Sequence, residues 1–330
     1  MAANIEDIKK LRKMTGAGMM DCKKALEETN GDIEASIEII RKKGQAVAAK
    51  RNDRTAAEGR VLAGVNGNFA AIVTLKCETD FVANNESFGA LAKKILDAAM
   101  ENKPKSVEEL QALTIDGRSI ADLITDEIGK TGEKMELGEY ACIEAPSVAS
   151  YDHMNHKLAA IVGFNLEGVS DEVGKEVAMQ VAAMNPVAVN RESVAASIIE
   201  EEKNVAIEKT KSEQIHKAAE AALRKAGLNP NHFDSEDHIA SNITKGWITE
   251  EEAAKGKAIM AEAAEKKAAN MPQQMIDNIV NGRINKYYKE NCLVEQEYHR
   301  DAKMSVQDYL NSQMKGLTAS AFCRVNLNED

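Results

Sequence analysis

The sequence predicts an α+β fold, rich in helix and carrying only small antiparallel sheets. Aromatic residues make up 4% of the chain, while Ala, Glu, Lys and Met abound, which favours helices over a β-sandwich. Strand-length apolar runs are few, and the clearest pair, in "VLAGVNGNFAAIVTLK", flanks Asn66-Gly67, a strong hairpin signal. Most of the remainder shows apolar residues at helical spacing behind capped starts. With 330 residues, 44% of them hydrophobic, the chain has room for two or three modules and at least one substantial core.

Residues 4–43 read as three short helices. Asn4 and Asp7 cap the first, in which Ile5, Ile8, Leu11 and Met14 recur at helical spacing, and "TGAG" ends it. The second carries Met19, Met20, Cys22, Ala25 and Leu26. The third starts at Asp32, shows Ile33, Ile37 and Ile40, and is expected to stop at Gly44, leaving residues 45–60 as a polar connector. So few large residues make a marginal core, as in a small recognition module with apolar surface left for a partner. After the hairpin, a helix is expected over roughly Ser87–Met100, with Phe88, Leu91, Ala92, Ile95 and Leu96 on one face. Ser106 and Ser119 begin two more capped helices, and Glu139–Ala145 returns to strand. Residues 190–291 are helical and polar with an intermittent apolar stripe. "GLNPNHFDSEDH" breaks the pattern, and new starts follow at Thr249 and Pro272, as in a protruding helical hairpin. The tail promises one helix and a strand, Ala319–Leu327, able to rejoin the second half's sheet.

The formal charge is −11, yet residues 1–54 hold 12 Lys/Arg against 9 Asp/Glu. The acidic body argues against nonspecific nucleic-acid binding. Five dispersed cysteines without a C-x-x-C pair suit reduced thiols. No signal-peptide core or membrane-spanning run occurs, so a cytoplasmic location is expected.

A weak internal repeat singles out one segment. "FAAIVTL" at 69–75 has a counterpart in "LAAIVGF" at 158–164, and each run is followed by a helix. The first strand-to-helix link is expected at residues 76–88 and the second at the shorter 165–173. The surplus falls in the segment containing Thr79, Asp80, Phe81 and Val82. Phe81 either caps the core beneath its own helix or is held out for contact. Reactive chemistry is thinly represented. Asp152, His153 and His156 stand close in "YDHMNH", but no further ligand at metal-site spacing supports them. No phosphate-cradling glycine motif or nucleophile elbow is present.

"LRKMTGAGMMDCKKALEETNGDIEASIEIIRKKG" (Leu11–Gly44), "TDFVA" (Thr79–Ala83) and "NGRINKYYKENCLVEQEY" (Asn281–Tyr298) together resemble bacterial elongation factor Ts, the guanine-nucleotide exchange factor of elongation factor Tu. The resemblance implies a ubiquitin-associated-like N-terminal module and connector at 1–54. It further implies core halves at 55–145 and at 146–190 with 292–330, and a helical coiled-coil insert at 191–291. By the same resemblance the protein grips Tu and sets Asp80 and Phe81 against its switch-side helices. That disturbs the magnesium and phosphate-loop site, GDP leaves and GTP can rebind, with no covalent chemistry, cofactor or bound metal. The family's partner contacts fall on Lys23, on Thr79, Asp80, Phe81 and Val82, on Ile128 and Gly129, and on His153. No direct nucleic-acid or membrane contact is expected, and a homodimer or a 2:2 assembly with Tu is allowed. Two departures stand out: the insert is enlarged around 207–260, and Glu297-Tyr298-His299-Arg300 replaces the family's usual Pro-Phe-Val run. A noncatalytic adaptor built on the helical module is the alternative, and a metal hydrolase using Asp152, His153 and His156 ranks after it.

Overall fold

The computed structural model describes residues 3–329; residues 1, 2 and 330, the outermost of the expected first and last segments, lie outside the described residues. The chain divides into two compact units, one of residues through Val189 joined by those from Glu297 onward, the other Asn190–Gln296.

The first unit begins with α1 (Ile5–Thr15), α2 (Met19–Glu28) and α3 (Ile33–Arg51). Asn4 and Asp32 cap α1 and α3 with their side chains, accepting from the Glu6 and Ala35 amides. Ile8, Leu11, Cys22, Ala25 and Leu26 form the small core between these helices. Ile5, Met14, Met19 and Met20 lie outside that core, 68%, 57%, 53% and 64% exposed, as the apolar surface expected to be left on this module. One sequence expectation needs correction here: α3 does not stop at Gly44. The helix runs on to Arg51, and Val47 and Ala48 pack on the next core. Gly44 serves a close crossing: a Cβ built on Gly129 would lie 2.9 Å from the Gly44 Cα, so the two backbones meet where neither has a side chain.

Then come β1 (Glu58–Asn66), β2 (Phe69–Cys77), α4 (Asp80–Ala83), α5 (Glu86–Asn102), α6 (Val107–Ala112), the short pair β3 (Thr114–Ile115) and β4 (Arg118–Ser119), α7 (Ile120–Thr131) and β5 (Met135–Glu144). Strand order β1-β2-β5 is antiparallel throughout. The hairpin register pairs Asn66 with Phe69, so the central turn residues are Gly67 and Asn68, one position beyond the Asn-Gly expected from sequence. Positive φ is needed only at Gly67 (61°), as a turn with glycine at its first central position requires. Phe69, Ala71, Val73 and Leu75 share one core with α5, α6 and α7, which contribute Phe88, Ile95, Leu110, Ile120 and Ile124.

The second half repeats the plan with β6 (Ser147–Asp152), β7 (Leu158–Phe164) and α8 (Asp171–Met184). After the second unit the chain returns as β8 (Glu297–Tyr298), β9 (Asp301–Ser305), α13 (Val306–Gln313) and β10 (Ala319–Asn326). Strand β7 lies central between β6 and β10, as β2 lies between β1 and β5. The sheets face each other across Val61, Ala70, Ile72, Ile143, Ala159, Ile161 and Val325. This explains why β2 and β7 read as continuous apolar runs: one face meets helices and the other meets a sheet. Tyr298, His299 and Arg300 are all engaged within this unit. Tyr298 stacks on Tyr309 with centroids 4.2 Å apart, His299 Nε2 lies 3.1 Å from Glu176, and Arg300 also pairs with Glu176.

In the second unit α9 (Ala196–Lys225) is one long arm, and α11 (Glu250–Ala269) and α12 (Gln273–Asn291) return along it. Ala206 packs with Ile276, Val280 and Ile284 of α12. Leu223 at the far end joins Phe233, Ile239, Ile248 and Ala253 in a separate core that includes α10 (Glu236–Thr244). The expected hairpin turn is therefore a small folded tip. Thr249 and Glu252 close a capping box at its exit into α11. Residues 292–296 group with this unit, because the Cys292 amide continues α12 onto Tyr288 and Arg191 pairs with Glu295 at 2.5 Å.

Candidate contact site

Between β2 and α5 the link is residues 78–85, and between β7 and α8 it is residues 165–170. The surplus is smaller than the sequence spacing suggests, because α5 begins at Glu86 and β2 continues to Cys77. The first link carries the single turn α4, which is fastened at both ends. Thr79 caps it, accepting from the Val82 amide at 3.4 Å. The Glu133 carboxylate accepts from both the Thr79 amide (3.1 Å) and the Thr79 hydroxyl (2.8 Å). At the other end the Arg60 Nε donates to the Ala83 carbonyl at 2.7 Å.

Neighbouring bonds stiffen this mount. The Lys134 amide donates to Glu78 Oε1 at 2.7 Å, and with Arg54 it holds the Glu78 carboxyl below its usual range. Ser87 at the start of α5 donates to buried Glu127 at 2.5 Å, and Lys130 pairs with the same carboxylate at 2.9 Å. Ala83 is buried and Val82 packs on the core, which turns Asp80 and Phe81 outward. Phe81 is 85% exposed. The ring is thus left in water on a turn pinned by charge-assisted hydrogen bonds.

The other expected contact residues differ in setting. Ile128 is only 6% exposed and belongs to the core, and Gly129 backs onto Gly44. Neither offers a side chain to a partner; both hold α7 in place. Lys23 is exposed on α2, 3.8 Å from Glu27, and shares a helix stripe with exposed Met19 and Met20, which lie four and three residues before it. Helical spacing alone could have shown that stripe. His153 is half-buried in the β6–β7 turn, its Nδ1 2.9 Å from the Tyr151 hydroxyl. His156 Nδ1 instead meets Asp152 Oδ1 at 2.9 Å. The two imidazoles have separate partners, and no group of three or more His, Cys, Asp or Glu side chains among the described residues could hold a metal ion. Arg60 and Glu133, which position the turn, escaped sequence reasoning because their partners lie far along the chain. Burial pushes the Cys77 thiol up to about 12 and the Cys292 thiol up to about 11, so both stay protonated near neutrality. No helix among the described residues is long and apolar enough to cross a membrane.

Two facing antiparallel sheets, a helical head and a fastened outward-facing aromatic define an α+β protein whose candidate site is a surface. Residues 78–329 match the family described as Elongation factor TS. The chain is 54% identical to elongation factor Ts of Parabacteroides distasonis and 52% identical to that of Bacteroides fragilis, each alignment covering 100% of both chains. Identity to elongation factor Ts of Porphyromonas gingivalis is 47%, again over 100% of both. The chain belongs to the elongation factor Ts family and is a translation elongation factor. Because these alignments run the full length, the relatives also carry residues across Asn190–Gln296, and the enlarged insert is not peculiar to this chain.

Proposed function

We propose that the protein binds elongation factor Tu in its GDP form and promotes GDP release by disturbing the magnesium and phosphate-loop site, so that GTP can rebind. The observation that carries this reading is Phe81, 85% exposed on a turn fixed at both ends. In the proposed complex Phe81 fills an apolar slot between Tu helices, and exposed Asp80 beside it meets donors at the rim. Lys23 and His153 add outlying polar contacts. Thr79 and Val82 hold the turn, while Ile128 and Gly129 act as supports. No covalent bond is made or broken and no cofactor is needed. Nucleic acid and membrane are not partners in this reading, which places the protein in the cytoplasm.

The energetic requirement is reciprocal. If the factor weakens GDP binding by favouring a Tu state with a damaged magnesium site, Mg-GDP weakens factor binding by the same ratio. Release of labelled GDP from Tu, with and without the protein, tests the function directly. Acceleration is expected, as is dissociation of the preformed complex on titration with Mg-GDP. Unaltered release, or factor affinity indifferent to saturating Mg-GDP, contradicts the reading. Light scattering on the same samples distinguishes a 1:1 complex from a homodimer or 2:2 assembly.

A further inference from the structure

A second exposed apolar side chain shares the brace that holds Phe81. Met154, in the β6–β7 turn, is 91% exposed. The turn itself is closely bonded: the His153 amide donates to the Leu158 carbonyl at 3.0 Å, and the His156 amide to the His153 carbonyl at 2.8 Å. Asp152 clasps His156 across it at 2.9 Å. Its outer side is tied to β1, where the Val61 amide donates to the His156 carbonyl at 2.7 Å and Glu58 pairs with Lys157. Arg60, the residue before Val61, holds the end of α4. Consecutive residues of one strand thus fix both turns. Chain reach through those bonds limits the Phe81–Met154 Cα separation to about 30 Å. That is the width of a patch of about 800 Å², which one partner covers in a standard interface.

We propose that Met154 and Phe81 form a two-point docking face for the same GTPase, with Met154 as a second apolar anchor. This rests on the function proposed above. The shared brace is the reason for assigning both side chains to one occupant, because bending either turn away would strain the other's mount. Methionine suits the role: its unbranched chain adapts to an irregular recess at small cost in shape. A turn needing only solubility would put a polar residue there.

The test compares wild type, Met154→Ala, Met154→Glu, Phe81→Ala and the double alanine variant, by affinity for nucleotide-free elongation factor Tu and by stimulated release of labelled GDP. The expected result is unchanged melting and a roughly tenfold loss of affinity for Met154→Ala, the scale of burying one such side chain. Met154→Glu should lose more, and the double variant should multiply the two single losses because the anchors do not touch. If wild type binds and stimulates while both Met154 variants stay within about twofold of it, the second anchor is refuted and the proposed function stands. If wild type neither binds nor stimulates, the function fails and the anchor with it. A wild-type self-association abolished by Met154→Glu, with affinity for Tu unchanged, would instead assign Met154 to contacts between copies and overturn the proposal.

Discussion

Replacing Phe81 with alanine separates a core aromatic from a displayed one, because the two predict opposite losses. An aromatic side chain of about 200 Å² that is 85% exposed has only about 30 Å² withdrawn from water on folding. At about 25 cal/mol per Å² its truncation costs folding about 0.8 kcal/mol, a fall in melting temperature of at most about 3 °C for a chain of this length. The area left for a partner, about 170 Å², is worth about 4 kcal/mol as an upper bound. Ordering and imperfect fit reduce that to about 2 kcal/mol or more, roughly a thirtyfold loss. Asp80→Ala should lose less, since a rim carboxylate exchanges water for a partner's donors with little net gain. Glu133→Ala should lower exchange with Phe81 intact, because it frees the amide and hydroxyl of Thr79 that hold the turn. Melting by circular dichroism and release of labelled GDP from elongation factor Tu, on the same preparations, decide the matter. A Phe81→Ala protein that melts ten or more degrees lower, or that still stimulates release at the wild-type rate, refutes the reasoning.

The crossing of α3 and α7 makes a paired prediction. Gly129→Ala puts a Cβ 2.9 Å from the Gly44 Cα and should cost about 1–3 kcal/mol; Gly44→Ala, whose nearest neighbours lie at 3.5 and 3.7 Å, should be neutral or stabilising by up to about 1 kcal/mol. Equal urea midpoints for the two variants would show that the crossing is not close-packed. Glu176 is held below the usual carboxylate range chiefly by its hydrogen bond with Arg300. Its contribution is therefore present above the unfolded pKa and lost as pH falls through the lowered folded value, so Glu176→Gln should destabilise at neutral pH and converge on wild type in acid; a constant offset across the titration contradicts this. Ala219 on α9 and Met260 on α11 line one groove. Replacing residues 219–260 with a short turn should therefore leave the melting of the sheet-bearing unit unchanged and most exchange intact; collapse of that unit would show that the insert is part of its core.

What could be read from sequence was what is decided locally. Asn4, Asp32, Ser106, Ser119 and Thr249 all cap the helices expected of them, because a cap bonds to amides two or three residues away. The duplicated strand and helix were visible because burial on both faces leaves an unbroken apolar run. Gly44 was misread for the complementary reason. A glycine ending a helix and a glycine admitting another backbone look alike until Gly129 is placed beside it.

The candidate site lies at the far end of this scale. "TDFVA" marked the segment through its resemblance, but the choice between a core-capping Phe81 and a displayed one depends on Glu133 and Arg60, which reach α4 from other elements. The same resemblance marked Ile128, which is buried in the core, and Gly129, which backs onto Gly44. Met154 gave no signal in a stretch that reads as ordinary turn composition. Catalytic sites leave spacing motifs because several groups must converge on one reacting atom. A docking site asks that a side chain stay uncovered while its backbone is held still, and whether anything packs over it is settled by the whole fold. Sequence could therefore name the turn that carries Phe81, while its exposure had to come from the packing of β1, β2 and α5 around it.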